Sequence, residues 1–520
     1  MANTNNFNNI PVEKFRFANR NDYSHDSKFE TKPVSYFQDA FRRFCKNKGA
    51  VVGAIVILCL VLFAIFAPFF TTYTPQMKDR DQKFASARPL NPLFAETDFW
   101  DGCYEKSVNK YSYLRDLALE IETGKDVVKG ENDLTPDENG IYTYRYNTYY
   151  GVGFIYQALT NEEYQNLIAY QEETGRQVIY PVVAPWDRPK TVEAKDDPNI
   201  YYKTKVIDGK SRPDLDADGN FKLNYWTYAE GAIPALAAEY NSTMRIEGAN
   251  GFEKNGKQNY YVYALRAESG VQVRVDYYEY YTYKRGEEPV FLFGATDAEH
   301  GGADIFSSLA YGARFSFLFA IAVALVNLFV GAIYGSIAGY FGGKVDLFME
   351  RFSEILGSVP SMIIITLLKY HMGGESDVPV LFISFFATGW IGMAATTRMQ
   401  FYRFKNQEYV LAARTLGARD TRIMFKHIFP NGLGTIVTAC ALVIPSMIYS
   451  ETNLTYLGII NLGDTSSVGT LIAAGQAAIM ESAHIALFPC IFIVLLMLSF
   501  NLFGNGLRDA FNPSLRGSEG

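Results

Sequence analysis

Cysteine is scarce in this sequence of 520 residues, with five in all at Cys45, Cys59, Cys103, Cys440 and Cys490. Cys103 stands alone in the long polar stretch, which therefore has no internal disulfide, and no pair of cysteines has metal-ligand spacing. That stretch must hold itself together by its own core. The short signatures of hydrolytic chemistry are also missing. "GGKV" at Gly342–Val345 lacks both the first glycine of a phosphate-binding loop at the required distance and the Ser or Thr after the lysine. There is no zinc-protease helix pair and no nucleophile elbow. The chain is expected to be no enzyme, to bind no cofactor and to take no nucleic-acid partner.

Charge is missing altogether from Gly49–Phe70, "GAVVGAIVILCLVLFAIFAPFF". A membrane span needs about 20 apolar residues, so this run qualifies. Phe315–Tyr340 and Ile485–Asn505 qualify too, and Ile355–Leu368, Val378–Thr397 and Gly432–Tyr449 are shorter apolar runs bounded by charge. Six spans are expected. The first follows a long polar leader, disordered by composition, and reads as a signal anchor, not a cleaved signal peptide. The net charge of −7 averages two unlike materials: these runs, and a polar, acidic, tyrosine-rich stretch over 71–296.

Lys/Arg asymmetry sets the orientation. Arg42, Arg43, Lys46 and Lys48 precede the first span and place the N-terminus in the cytoplasm. Arg398, Arg403, Lys405, Arg414, Arg419, Arg422 and Lys426 fall together between the fourth and fifth spans. The loop Glu451–Ala483 carries Glu451, Asp464 and Glu481 but no Lys or Arg. Arg508 and Arg516 return the C-terminus to the cytoplasm. Residues 71–314 are then outside. No span holds a series of buried carboxylates and bases, so a proton relay is unsupported.

The outer stretch reads as β-rich with at least one helix. "VQVRVDYYEY" alternates Val271, Val273, Val275 and Tyr277 on one face, and "TYRYNTYYGVGFIYQ" alternates similarly. Thr160 and Glu163 form a capping-box pattern and Gly175 suits a helix C-cap, which predicts a helix over Asn161–Thr174 followed by a strand over "RQVIYPVVA". Asp214, Asp216 and Asp218 before Gly219 open like a calcium loop, but Tyr225 stands where the final Glu belongs; a hairpin turn accounts for the same residues. His300 is a ligand candidate in principle, and His371 and His484 carry no partner signal. The tyrosines serve either as an interface, for a binding protein or a peptide, or as the alternating core of the strands.

Within the second span Gly331, Gly335 and Gly339 make a flat stripe for close helix packing. Pro360, Pro445 and Pro489 each fall inside a span and permit kinks. Glu408–Asn431 stands out against this background as a short, charged stretch between two spans. Asn406 can cap a first helix bearing Tyr409, Ala413 and Leu416 on one face, and Gly417 ends it. Asp420 can cap a second helix, which Pro430 stops. The small Ala412 and Ala413 leave a shallow surface that suits a docking partner. The same stretch also fits a basic amphipathic segment lying on anionic membrane lipid.

The pattern EYVxAARxxGAxxxxxxxxHIxPN resembles the coupling-helix loop of bacterial ABC-importer permeases, in wording close to the oligopeptide/dipeptide branch. "FRRFCKNKGAVVGAIVILCLVLFAIFAPFFTTYTP", "ADIFSSLAYGARFSF", "VDLFMERFSEILGSVPSM" and "NLFGNGLRDAFNPSLRG" are similar to that branch's C-type subunit, and the matching parts cover roughly half the chain. The family's external "GTDxxGRD" element is altered to "GATDAEHGGAD", Ala395 stands where Arg is common, and Asn505 where Asp is common. The resemblance implies that Glu408, Ala412, Ala413, Gly417 and Pro430 dock on an ATP-hydrolysing subunit. It further implies a homologous second permease, two ATPase subunits that hold ATP and Mg, and an extracytoplasmic peptide-binding lipoprotein.

The expected fold is therefore an all-α polytopic membrane bundle of six helices plus a β-rich α+β inserted domain outside. The parts are a leader (1–48), the first span (49–70), the insert (71–296), and a permease core (297–520) with its coupling loop at 398–431. The expected role is a peptide-importer permease in the bacterial cell membrane. The alternative is a membrane receptor with an external ligand-binding domain, which would need no glycine-striped, proline-kinked bundle. A secondary transporter would want inverted repeats or intramembrane carboxylates, and neither is found.

Overall fold

A computed structural model of the chain describes residues 36–130, 134–184, 197–207, 209–229, 252–254, 256–267 and 270–511. The polar leader and Arg516 lie outside them. Helix α1 (Tyr36–Lys46) leads into α2 (Lys48–Phe70), whose N-terminus is capped by Asn47 accepting from the Ala50 N–H at 3.2 Å. One face of α2 is small because it lies on the last helix of the chain: a Cβ at Gly53 would sit 2.6 Å from the Ser499 carbonyl oxygen. Ile55, Leu58 and Leu62 face away from the protein, as a lipid-facing side should.

The insert then builds β1 (Cys103–Asn109), α3 (Lys110–Thr123), β2 (Val128–Lys129), β3 (Ile141–Asn147), β4 (Phe154–Leu159), α4 (Asn161–Thr174) and β5 (Ile179–Tyr180). It continues with β6 (Thr204–Ile207), β7 (Lys210–Pro213), β8 (Thr227–Ala229), β9 (Phe252–Lys254), β10 (Lys257–Tyr261), β11 (Ala264–Ala267), β12 (Gly270–Asp276) and α5 (Tyr277–Arg285). Among the described residues the strand pairings are antiparallel, in four small sheets: β1-β3-β2, β8-β10-β9, β11-β12-β4 with β5 added on β12, and β6-β7.

The tyrosines mostly turn inward. Tyr149, Tyr164, Tyr201, Tyr202, Tyr277 and Tyr278 are among the buried ones. Beneath them Arg274 is wholly buried, with a bidentate pair to Glu122 at 2.5 and 2.8 Å and its guanidinium over the Phe154 ring at 3.8 Å. A charge buried this deeply persists only when paired and hydrogen-bonded.

Helix α4 has the predicted bounds, with both halves of the Thr160–Glu163 capping box formed and Gly175 at φ +71°. The strand over Val271–Tyr277 stops earlier. Asp276 caps α5 through the Tyr278 N–H at 3.1 Å, so Tyr277 begins a helix. The expected strand over "RQVIYPVVA" shrinks to β5. Two of the three acidic residues have partners of their own. Asp214 is paired with Lys222 and Lys205, and Asp216 accepts the backbone N–H groups of Asp218 and Asn220 within a turn. Among the described residues no group of His, Cys, Asp or Glu is arranged to hold a metal. His300 is occupied by Asp297 at 2.5 Å. Burial pushes the Cys103 thiol up to about 12, which leaves it inert at neutral pH.

The remaining helices are α6 (Ile305–Phe341), α7 (Gly343–Gly357), α8 (Ser361–Met372), α9 (Val378–Thr388), α10 (Trp390–Phe404), α11 (Glu408–Thr415), α12 (Asp420–Arg422), α13 (Phe429–Tyr456), α14 (Val468–Ala477) and α15 (His484–Phe511). Among the described residues five helical stretches are long and apolar enough to cross a membrane, and a sixth if α7 and α8, bent by 68°, are one span. That bend falls at Ser358–Pro360, where the proline cannot continue the helix. Helix α6 starts ten residues before the expected span, capped by Asp304 on the Ser307 N–H at 2.8 Å.

The loop expected over Glu451–Ala483 is about half helical, through the end of α13 and the whole of α14. Glu451 lies inside α13, fully buried, and accepts from Ser316 Oγ at 2.7 Å. A carboxylate inside a span-length helix was not anticipated; among the described residues it forms no ion pair. Helix α14 is a short apolar helix closed by a capping box at Ser467 and Thr470.

Insert and bundle are joined tightly. The Arg88 guanidinium donates to His484 Nδ1 at 3.2 Å, and His484 Nε2 donates to the Ala87 carbonyl at 3.1 Å. Phe293 stacks on Phe488 at 4.2 Å. His484, without partner signal in the sequence, is thus the rivet between the insert and α15.

Candidate functional site

The charged stretch between the fourth and fifth membrane-type helices forms a compact hook. Helix α11 starts at Glu408, with Gln407, not Asn406, at the cap position and no side-chain cap bond. It ends in a Schellman turn: the Ala418 N–H reaches the Ala413 carbonyl at 3.1 Å and the Gly417 N–H reaches the Arg414 carbonyl at 3.0 Å. Gly417 takes φ +80° to make that turn, a left-handed conformation that glycine adopts at least cost.

Only Val410 of α11 is buried, and it packs with Tyr340, Phe401, Ile423, Met424 and Ile428. This cluster joins α11 to the ends of α6 and α10 and to the helix that follows. The Tyr340 hydroxyl donates to Asp420 at 2.5 Å, and the Arg414 guanidinium lies 5.7 Å from the Tyr340 ring centre. Everything else on α11 faces out. Glu408, Ala412, Gly417 and Pro430 are exposed and Ala413 is half-buried. Leu416, 87% exposed, projects beyond them, an apolar side chain with no support in this chain. Tyr409 is exposed too, so the expected Tyr409–Ala413–Leu416 face points away from the protein.

Asp420 occupies the first helical position and Arg419 the cap, the reverse of the expected capping. Pro430 does not stop the second helix. A π-helical stretch, Ile423–Ile428, carries α12 directly into α13, and Pro430 follows it at the second position of α13, so the helix passes through the proline instead of ending there. Asp420–Tyr456 is one continuous helix of 37 residues. The hook is therefore the root of a span. π-Turns within helices are frequent at functional sites.

Beside the hook, Arg398 of α10 holds Asp346 of α7 at 2.6 and 2.7 Å and Glu350 at 2.8 Å, and Tyr402 also donates to Asp346 at 2.6 Å. The glycine stripe lies where α6 meets α10. A Cβ at Gly331 would sit 2.7 Å from the Trp390 carbonyl oxygen, and one at Gly339 would sit 2.6 Å from Phe401 Cβ. Gly335 is in the same position against Ala394 and Thr397. Sequence reading missed Val410, Tyr340 and Arg398. Val410 was legible as an apolar residue at helical spacing from Ala413, whereas the other two act through partners 80 and 52 residues away.

Residues 331–517, which contain the hook, match the family described as the binding-protein-dependent transport system inner membrane component. Residues 35–92 match the N-terminal transmembrane domain of oligopeptide transport permease C. Most of the insert falls between the two. The chain is 41% identical over 224 residues to the oligopeptide transport system permease protein OppC of Bacillus subtilis, covering 43% of this chain and 72% of that protein. It is 38% identical over 216 residues to the dipeptide transport system permease protein DppC of the same organism, covering 41% and 67%. A solved structure of the MetNI methionine ABC transporter in inward-facing conformations aligns with 39% of this chain and 94% of its own, at 13% identity and a TM-score of 0.32. The chain belongs to the oligopeptide and dipeptide ABC permease family, as a C-type subunit.

Proposed function

We propose that this chain is the C-type membrane permease of an ATP-driven peptide importer and that Glu408–Pro430 couples it to an ATPase subunit. The observation that carries the coupling role is the burial of Val410 in one cluster with Tyr340, Ile423 and Ile428. A push on the exposed face of α11 cannot be absorbed locally, because a packed cluster transmits displacement to the helices that build it. It passes to α6 through Tyr340 and to α13 through the unbroken Asp420–Tyr456 helix. Glu408, Ala412, Ala413, Gly417 and Pro430 form the docking surface, with Leu416 as its apolar knob.

In this reading the chain crosses the cell membrane six times with both termini in the cytoplasm, and residues 71–314 face outward as a β-rich α+β domain. A second, homologous permease completes the path. Two ATPase subunits bind ATP and Mg and close beneath the hooks, and an extracytoplasmic lipoprotein delivers peptide. The chain performs no chemistry itself. The burial of its tyrosines favours a structural core for the insert over a tyrosine-faced docking plate.

Affinity purification of the tagged full chain from its native membrane tests the reading. Co-purification of a second permease and two ATPases, with hydrolysis stimulated by peptide-loaded binding protein, is the expected result. A chain that purifies alone, or with an adaptor and no ATPase, overturns it.

A further inference from the structure

A cavity of about 590 Å³ opens where the insert meets the bundle. It lies at the end of the helices remote from the hook. Ser308, near the start of α6, and Thr455, near the end of α13, are both in its wall, while the opposite ends of these helices meet at Tyr340 and Asp420.

One side is stapled shut. Lys369 pairs with Asp377 at 2.9 Å and donates to the Ile459 carbonyl at 2.8 Å, and Asp377 accepts the Asn461 N–H at 2.9 Å. The charges of Lys369 and Asp377 are thus spent on each other. Three other charged side chains, Lys78, Glu299 and Asp464, also line the cavity. Among the described residues none of these three side chains has a hydrogen bond or ion pair. Lys78 comes from the insert and Glu299 from the segment that joins the insert to α6, and the two segments are clamped together by the Asp79 N–H on the Gly301 carbonyl at 2.8 Å.

One unspent ammonium, Lys78, and two unspent carboxylates, Glu299 and Asp464, therefore share a half-enclosed polar volume at the head of the bundle. A free peptide carries the complementary pair, an α-ammonium at one end and an α-carboxylate at the other. Charge-assisted hydrogen bonds to such groups are the strong kind, and the volume is of the size that small ligands occupy. We infer that this cavity is a receiving subsite for short zwitterionic peptides, in which Glu299 takes the α-ammonium and Lys78 the α-carboxylate. The inference rests on the peptide-importer reading and adds to it a place and two residues.

The test uses the complete importer in liposomes, with a fixed excess of its binding protein and tri-alanine as cargo. Lys78→Gln and Glu299→Gln are each expected to raise KM for uptake by roughly two- to fivefold, the range for partly exposed charge pairs. Because the binding protein is common to all samples, the change reports on this chain. In competition, Glu299→Gln should narrow the gap between free and N-acetylated tri-alanine, and Lys78→Gln the gap between free and C-amidated tri-alanine. The exchange K78E/E299K keeps one charge of each sign and should recover most of the loss, which a merely structural role would not. A parental KM in both single variants, or no recovery in the exchange, overturns the subsite while leaving the importer intact. No peptide uptake by the unaltered importer overturns both readings.

Discussion

The Tyr340 hydroxyl and the Asp420 carboxylate meet at 2.5 Å, tying the end of α6 to the first turn of the helix that becomes α13. Tyr340→Phe removes the donor and keeps the ring under Arg414. The lost bond is worth about 1 kcal/mol at a site open to water on one side. Fewer peptides should be imported per ATP hydrolysed, with the subunits still assembled. An unchanged ratio in reconstituted importers would show that the bond carries no load.

Gly417 has open space around it but holds φ +80°. A residue with a Cβ pays about 1–2 kcal/mol there, and a β-branched one more. Gly417→Val should therefore abolish the stimulation of hydrolysis by loaded binding protein, whereas Gly417→Asn, which tolerates this backbone, should keep most of it. Equal stimulation in both variants would separate the turn from coupling.

The stripe at Gly335 faces the backbone of α10, and a Cβ there would lie 2.9 Å from Thr397 Cβ. Gly335→Leu should lower the Tm of the purified chain in detergent, since overpacking a close contact costs about 1–3 kcal/mol or more. Gly392→Ala on α10 meets nothing within 4 Å and should leave Tm unchanged or slightly raised.

His484→Phe keeps a ring at the first turn of α15 but loses the bonds to Arg88 and the Ala87 carbonyl. Amide hydrogen exchange should accelerate over Phe84–Leu90, while protection within β12 stays as it was. Faster exchange throughout the insert would mean that its fold depends on the bundle.

The Asp214–Gly219 turn should ignore calcium. Adding a chelator is expected to leave Tm unchanged, while Asp216→Ala should lower it by removing the acceptor for the Asp218 and Asn220 N–H groups. A melting curve that shifts with calcium would restore the metal reading.

Local signals were the most legible. The capping box of α4, the apolar spans and the turn at Gly417 each follow from residues within a few positions of one another. The misreadings share one cause, competition from partners distant in sequence or from an adjacent local rule. Tyr277 continued the alternation of β12, yet Asp276 next to it was a helix cap. Pro430 looked like a stop because a proline inside a helix costs a bond, but the π-helical turn just before it, Ile423–Ile428, carries the helix past it. Glu451 looked like loop charge because nothing nearby shows Ser316 waiting 135 residues away to satisfy it. The rivet through His484 spans 396 residues to Arg88 and has no sequence signature at all.

Helix α6 leaves the insert without a linker. The Ile305 N–H reaches back to the Gly294 carbonyl at 3.0 Å, and Ala295 is bridged to Asp304. With 37 residues at about 1.5 Å each, α6 is about 55 Å long against a hydrocarbon layer of about 30 Å. Spliced to that helix and riveted to α15, the insert is built like a weathervane fixed to two shafts. A tilt of a few degrees in either shaft swings its far edge by several times the displacement at the shaft, so a dye on the insert would register the transport cycle as a readable arc.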